Sequence, residues 1–218
     1  MSAPPNHDAA TAIARSLQQQ SLKHWGFVIF RCTYRSQEKW DRLLAHIQQH
    51  AREQFAACGM AEVYETAATW TLFEDAAALE GAGLAETSRR FSEWVWADDG
   101  GQREMEGRSV LKGNWVYCPR YFFYLHVDEE GLESVVDGDG EGEQGWVRAV
   151  RADIVLTRED RLKSAREKGE EEEEEEDEYE MLDLRKKVVI DEIVDLYAAL
   201  LSIDRWYNIL TEDGVCQI

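Results

Sequence analysis

The stretch Tyr121-Phe122-Phe123-Tyr124-Leu125-His126-Val127-Asp128 constrains the chain more than any other. Residues this rich in aromatic and branched side chains form a strand that has to be buried on both faces, with Tyr121, Phe123, Leu125 and Val127 pointing one way and Phe122, Tyr124, His126 and Asp128 the other. Such a strand needs sheet partners. Its exit, Asp128-Glu129-Glu130, opens a short helix predicted over Glu129 to Val136, so three carboxylates gather where a strand hands over to a helix N-terminus. That junction is the first candidate site.

The partners are sought along the rest of the chain. Trp25 to Tyr34 reads as a central strand with Arg31 as its one charge, and a buried arginine demands a partner. Ser36 is a helix N-cap, after which Trp40, Leu43, Leu44, Ile47, Ala51 and Phe55 repeat at helical spacing until Gly59. Thr66 to Phe73 is a second β-prone run, again closing on acids, Glu74-Asp75. A helix is predicted over Ala85 to Trp96, a polar loop over Asp98 to Gly113, strands over Trp146 to Leu156 and Leu184 to Ile190, and an amphipathic helix over Asp191 to Ile203. The expected fold is α+β: a single domain with a mostly antiparallel, four- to five-stranded sheet, related to ferredoxin-like units and covered on one face by two long helices. Its expected parts are a flexible N-terminal tail over 1–21, the α+β core over 22–157, a charged helix and disordered polyacidic insertion over 158–181, and a C-terminal strand and helix over 182–218 that dock to complete the core.

Charge narrows the function classes. Glu167 to Glu180 carries eleven acids against one lysine, half of the net charge of −20, and the remainder is still acidic. This argues against broad binding to DNA phosphates and against adhesion to an anionic membrane. No run approaches a membrane span or a signal core, and Cys32, Cys58, Cys118 and Cys216 are too scattered for a zinc pattern, so a reduced, cytoplasmic protein is expected.

Gly-rich phosphate loops, nucleophile elbows and HExxH motifs are missing, and nothing calls for a cofactor. Asp137 to Gly145 lacks the spacing of a calcium loop and reads as a solvated turn. His46 and His50 stand one helical turn apart without an evident third ligand, so no metal is expected. His126 and Asp128 share a strand face, which suits either an acid–base pair or a buried histidine satisfied by neighbours. Arg31 either anchors an anionic or carbonyl group, or pairs with Asp75 or Asp128 inside the fold.

Several blocks together resemble a large family of poorly characterised proteins from filamentous fungi. They are Trp25 to Arg31 with Thr33-Tyr34; Glu74-Asp75 with Leu79 to Ala82 and Arg90-Phe91 through Trp94; Arg120-Tyr121 with His126 to Glu129 and Leu132 to Val136; and the final helix with Trp206-Tyr207. The Arg-Pro-Pro of that ending is replaced here by Thr211-Glu212-Asp213. The chain is also similar to fungal arginine-containing cyclodipeptide synthases, which close a diketopiperazine from aminoacyl groups on charged tRNA. That resemblance implies catalytic roles for His126, Asp128 and Asp75, and contacts to an amino-acid substrate by Arg31, Tyr34, Glu74, Glu129, Arg90 and Tyr124. It also implies a basic surface for tRNA, for which Arg89, Arg90, Arg148, Arg151, Arg161, Lys163, Arg166 and Arg185-Lys186-Lys187 are the candidates. The competing reading is a non-enzymatic interaction module whose acidic tract binds basic partners. Oligomeric state is left open.

Overall fold

The computed structural model describes residues 7–105, 117–135, 145–153, 185–212 and 215–217. In chain order the elements are α1 (His7–Gln20), β1 (Val28–Arg31), α2 (Gln37–Ala57), α3 (Ala61–Ala67), β2 (Thr71–Phe73), α4 (Ala76–Leu79), α5 (Leu84–Trp96) and α6 (Gly101–Glu104). Then come β3 (Phe123–Val127), α7 (Glu129–Glu133), β4 (Trp146–Arg151), β5 (Arg185–Val189), α8 (Ile193–Ala199), α9 (Arg205–Asn208), β6 (Leu210–Glu212) and β7 (Val215–Gln217). Single 3₁₀ turns at Pro119–Tyr121 and Ile190–Glu192 precede β3 and α8.

The fold is α+β, built on a single mixed sheet of strand order β2-β1-β3-β4-β5-β7-β6. The organising run lies at its centre as β3, which begins at Phe123 rather than Tyr121 because Pro119 first starts a 3₁₀ turn. A mostly antiparallel, ferredoxin-like sheet was the expectation, and it is corrected here. β2, β1 and β3 are mutually parallel, and only β3-β4, β4-β5 and β6-β7 pair antiparallel. The cause is the length of the connections, since α2 with α3 and then α4 with α5 carry the chain back across the sheet, and a returning chain starts its next strand in the same direction. Five strands, β2-β1-β3-β4-β5, form the body, and the antiparallel β6-β7 pair joins it through the single register Lys187↔Val215.

The two long helices also lie on opposite faces rather than on one. α2 begins where Ser36 accepts a hydrogen bond from the Lys39 amide and ends before Gly59, whose φ of +70° suits a residue without Cβ. Its buried stripe, Trp40, Leu43, Ile47, Ala51 and Phe55, covers the face of Phe27, Ile29 and Arg31, with Phe55 stacked on Trp25 at 4.7 Å. α5 covers the other face, where Phe91 meets Tyr124 at 5.2 Å and Tyr124 meets Phe30 at 5.1 Å. With a layer on both sides, Phe123 to Val127 is buried throughout.

The N-terminal segment is a second correction. The expectation for 1–21 is a flexible tail that includes a frayed helix over Ala9 to Gln20; α1 is that helix, but it is docked rather than loose, burying Ala10 and Ile13 completely and packing on α8 and α2. The i, i+3, i+7 spacing of Ala10, Ile13 and Leu17 supplies the apolar stripe. α8 sets Tyr197 against Trp25 and Phe27, and Trp206 rests on Phe123. Since β5 pairs with β4, the chain on either side of 154–184 belongs to one sheet. The charged helix and polyacidic insertion expected over 158–181, nearly all of the Asp137 to Gly145 turn and the 106–113 part of the polar loop lie outside the described residues.

Gly26 shows how closely the parallel strands start together. Its φ is +106°, and a Cβ there would stand 2.7 Å from the Thr69 carbonyl oxygen. Gly26→Ala is expected to cost about 1–3 kcal/mol, from backbone strain and displacement of Thr69. Chemical denaturation checks this, and a variant as stable as the parent refutes the close approach.

Candidate functional site at the carboxyl edge of the parallel strands

Because β2, β1 and β3 run the same way, their carboxyl ends share one edge of the sheet. Glu74-Asp75, Arg31 to Arg35 and Asp128 to Glu130 therefore stand side by side, at the place where open α/β sheets gather their ligands. Sequence-predicted residues do meet here, but their charged groups are already engaged.

Arg31 is buried, donates from Nε to the Thr33 carbonyl at 3.0 Å and from Nη1 to Gln37 Oε1 at 2.8 Å, and lies 4.4 Å from the Tyr34 ring centre and 5.1 Å from that of Trp40. Its carboxylate is Glu74, 3.7 Å away, which in turn accepts from Trp40 Nε1 at 2.6 Å. The pairing of Arg31 with Asp75 or Asp128 is thus corrected, and the reason is capping. Asp75 accepts the Ala77 amide at the start of α4, and Asp128 accepts the Gly131 amide at 2.9 Å at the start of α7. Asp128 also takes Arg148 Nε at 2.6 Å; burial raises its pKa, but Arg148 and the Gly131 amide outweigh that and hold the carboxyl below its ordinary value. Glu129 pairs with Arg35, and Arg90 with Glu86 of its own helix at 2.6 Å. Burial pushes the Tyr34 phenol up to about 12, against the pull of Arg31. The Tyr34 and Thr33 hydroxyls are buried at this edge without hydrogen-bond partners.

His126 and Tyr124 face the interior under α5. Tyr124 Oη lies 2.8 Å from Thr87 Oγ1 and 2.9 Å from Ser88 Oγ, and His126 Nδ1 lies 3.4 Å from Thr87 Oγ1 and 3.6 Å from Cys32 Sγ. His126 is lowered to about 4, by burial first and by Arg148 and Arg185, against the opposing pull of Asp128. Burial with Asp128 and Glu80 nearby lifts Cys32 to about 12. Both groups are therefore neutral, and the thiolate–imidazolium state that a cysteine nucleophile requires is disfavoured from each side. Native Cys32 is accordingly expected to resist iodoacetamide at pH 8 and to react freely in urea, read by mass spectrometry of the Cys32 peptide. Rapid labelling of the folded chain refutes a neutral, inaccessible thiol.

The cations offered for tRNA are similarly committed. Arg89 binds Glu86 and Glu93; Arg148 binds Asp128 and Glu130; Arg151 binds Asp153; Lys187 binds Glu130 at 2.8 Å; and buried Lys186 reaches the Ile209 carbonyl. Arg161, Lys163 and Arg166 lie outside the described residues. Among the described residues no group of three or more His, Cys, Asp or Glu is arranged to hold a metal ion, and no helix is long and apolar enough to cross a membrane.

Sequence reasoning missed the Cys32–His126 contact and the Thr87-Ser88-Tyr124 ladder. The Phe30↔His126 register that creates the first is a property of parallel pairing, which no local signal announces. It also passed over Arg120, fully buried at the opposite edge beside a cleft of about 560 Å³ lined by Lys23, His24, Thr71, Trp94, Arg103 and Glu104 among others. None of the predicted site residues lines that cleft. Comparison of the chain with protein-family models, curated proteins and solved structures finds no match.

Proposed function

We propose that the chain is a non-catalytic interaction module whose acidic carboxyl edge takes basic partners, lysine- and arginine-rich peptide segments being the ligand class. The observation that carries this reading is the charge distribution at the edge. Glu74, Asp75, Glu80 and Glu133 are exposed there, Glu130 is shared between Arg148 and Lys187, exposed Arg35 is taken by Glu129, and Arg31 and Arg148 are buried in internal pairs. Exposed carboxylates attract guanidinium and ammonium groups, and the net charge of −20, half of it from 167–180, steers a basic ligand from a distance. The test is an anisotropy titration with an arginine- and lysine-rich peptide beside an acidic peptide of equal length. Binding of the basic peptide alone, weakening steeply with salt, is expected; indifference to peptide charge removes the reading.

A tRNA-dependent arginine cyclodipeptide synthase of the fungal kind is the second reading. One observation favours it, the gathering of carboxylates suited to a guanidinium at the ligand-binding edge of the parallel strands. It requires a nucleophile and a basic surface, and the neutral Cys32 and the paired arginines supply neither. Metabolite profiling of producing cells decides it. An arginine-containing diketopiperazine that disappears in folded Asp128→Ala or Asp75→Ala supports the enzyme, and no product from folded protein supplied with charged tRNA removes it.

A further inference from the structure

His46 and His50, one turn apart on α2, face the 3₁₀ turn that leads into α8. Asp191 Oδ1 lies 2.7 Å from His46 Nε2 and 3.5 Å from His50 Nδ1. One turn further along α2, Gln54 places Nε2 2.8 Å from His50 Nε2 and 3.5 Å from both the Asp191 carbonyl and Asp195 Oδ2. His46, His50 and Gln54 therefore form a ladder against the segment that follows β5.

From this arrangement we propose that His46 and Asp191, braced by His50, form a protonation-gated clamp, which fastens the C-terminal segment to α2 at mildly acidic pH and loosens as pH rises. Geometry carries the argument. His46 Nε2 and Asp191 Oδ1, 2.7 Å apart, bridge α2 and the segment after β5, and a proton on His46 turns that hydrogen bond into a charge-assisted one. Gln54 Nε2 donates to His50 Nε2, which leaves the His50 Nδ1–H to face Asp191, so His50 and Gln54 brace the carboxylate beside His46. Glu192 Oε2 is buried without a partner.

The surrounding charges agree in sign. α2 contributes Glu53, and the docked segment contributes Asp191, Glu192 and Asp195. The hydrogen bond that His46 donates to Asp191 raises its pKa, with burial opposing and the charges of Asp191 and Glu53 assisting. A histidine raised by folding stabilises fully below its ordinary value near 6.5 and loses that contribution as pH climbs through the folded value. Burial, Asp195 and Asp191 raise Glu192, which also favours the acidic side. His46 holds Asp191 below its ordinary value, so the carboxylate end fails only in stronger acid. The clamp is tightest between those limits.

What it fastens is α8, whose Tyr197 packs edge-on against Trp25 and Phe27. Histidine-resolved NMR with hydrogen exchange of peptides spanning 188–200 tests the device on the full chain. The expected result is His46 titrating above 6.5 and protection of 190–200 falling several-fold from pH 6 to pH 8, after correction for intrinsic exchange. Asp191→Asn and His46→Gln should flatten that pH dependence, while melting at pH 8 matches the parent and shows that both variants fold. The proposal is overturned if His46 titrates at or below 6.5, if Asp191→Asn keeps the parent's pH dependence, or if a chelator abolishes it and so assigns the cluster to a metal.

Discussion

Replacing Arg120 by methionine is expected to remove about 3–5 kcal/mol of stability, the range for breaking one side of a buried charge pair. The guanidinium is fully buried and spends all its donors inside. Nε and Nη2 hold Glu104 at 2.7 and 2.9 Å, Nη1 donates to the Gly26 and Thr69 carbonyls at 3.2 and 2.7 Å, and Nη2 also reaches Thr71 Oγ1 at 2.6 Å. Trp94 lies 5.3 Å from it on one side. One residue therefore ties α6 to the beginnings of β1 and β2. Methionine fills much of the volume but leaves the Glu104 carboxylate and two carbonyls without their donor, which is where the cost arises. A following change of Glu104 to leucine should recover part of the loss, since the stranded charge is then removed too. Urea unfolding of the two variants measures both quantities, and a loss below about 1 kcal/mol for Arg120→Met contradicts the pairing.

Neutralising the exposed acids at the carboxyl edge is expected to weaken basic-peptide binding by about 10- to 100-fold in the triple variant Glu74→Gln, Asp75→Asn, Glu80→Gln. The estimate takes about 0.5–1 kcal/mol for each exposed charge removed from a contact. The substitutions are chosen to spare the fold. Glutamine at 74 still offers Trp40 Nε1 an oxygen, asparagine at 75 still caps α4, and Glu80 is exposed. Stability should stay within about 0.5 kcal/mol of the parent apart from the lost Arg31–Glu74 attraction, so an affinity change is separable from unfolding. Intrinsic tryptophan fluorescence during titration gives the ratio. Equal affinity of parent and variant contradicts a role for this edge.

The sequence was most legible where a signal was local. Ser36 announced the start of α2 through its cap, Gly59 its end, and the 3.6-residue repeat from Trp40 to Phe55 its buried stripe. The alternation in Phe123 to Val127 announced a strand covered on both faces. Three things were not legible for one shared reason, that each depends on which strands become neighbours. The direction of β2 beside β1 follows from the helical crossovers; Arg31 meets Glu74 rather than Asp75 because the latter turns to cap α4; and His126 meets Cys32 through the register between β1 and β3. Acids at the strand ends were visible in sequence, but parallel pairing was needed to set Glu74, Asp128 and Glu130 along one edge. Their partners, Trp40, Arg148 and Lys187, come from α2, β4 and β5.

The acidic edge is proposed as a binding surface for basic partners. Amide chemical-shift mapping during titration with a lysine- and arginine-rich peptide tests it most directly, because it reports where contact is made as well as whether it is. Perturbations confined to residues 31–35, 74–80 and 128–133, fading as salt is raised, are the predicted result. Perturbations centred instead on the cleft at the opposite edge, around Lys23-His24 and Gly100 to Glu104, or no perturbation at low salt, contradict it.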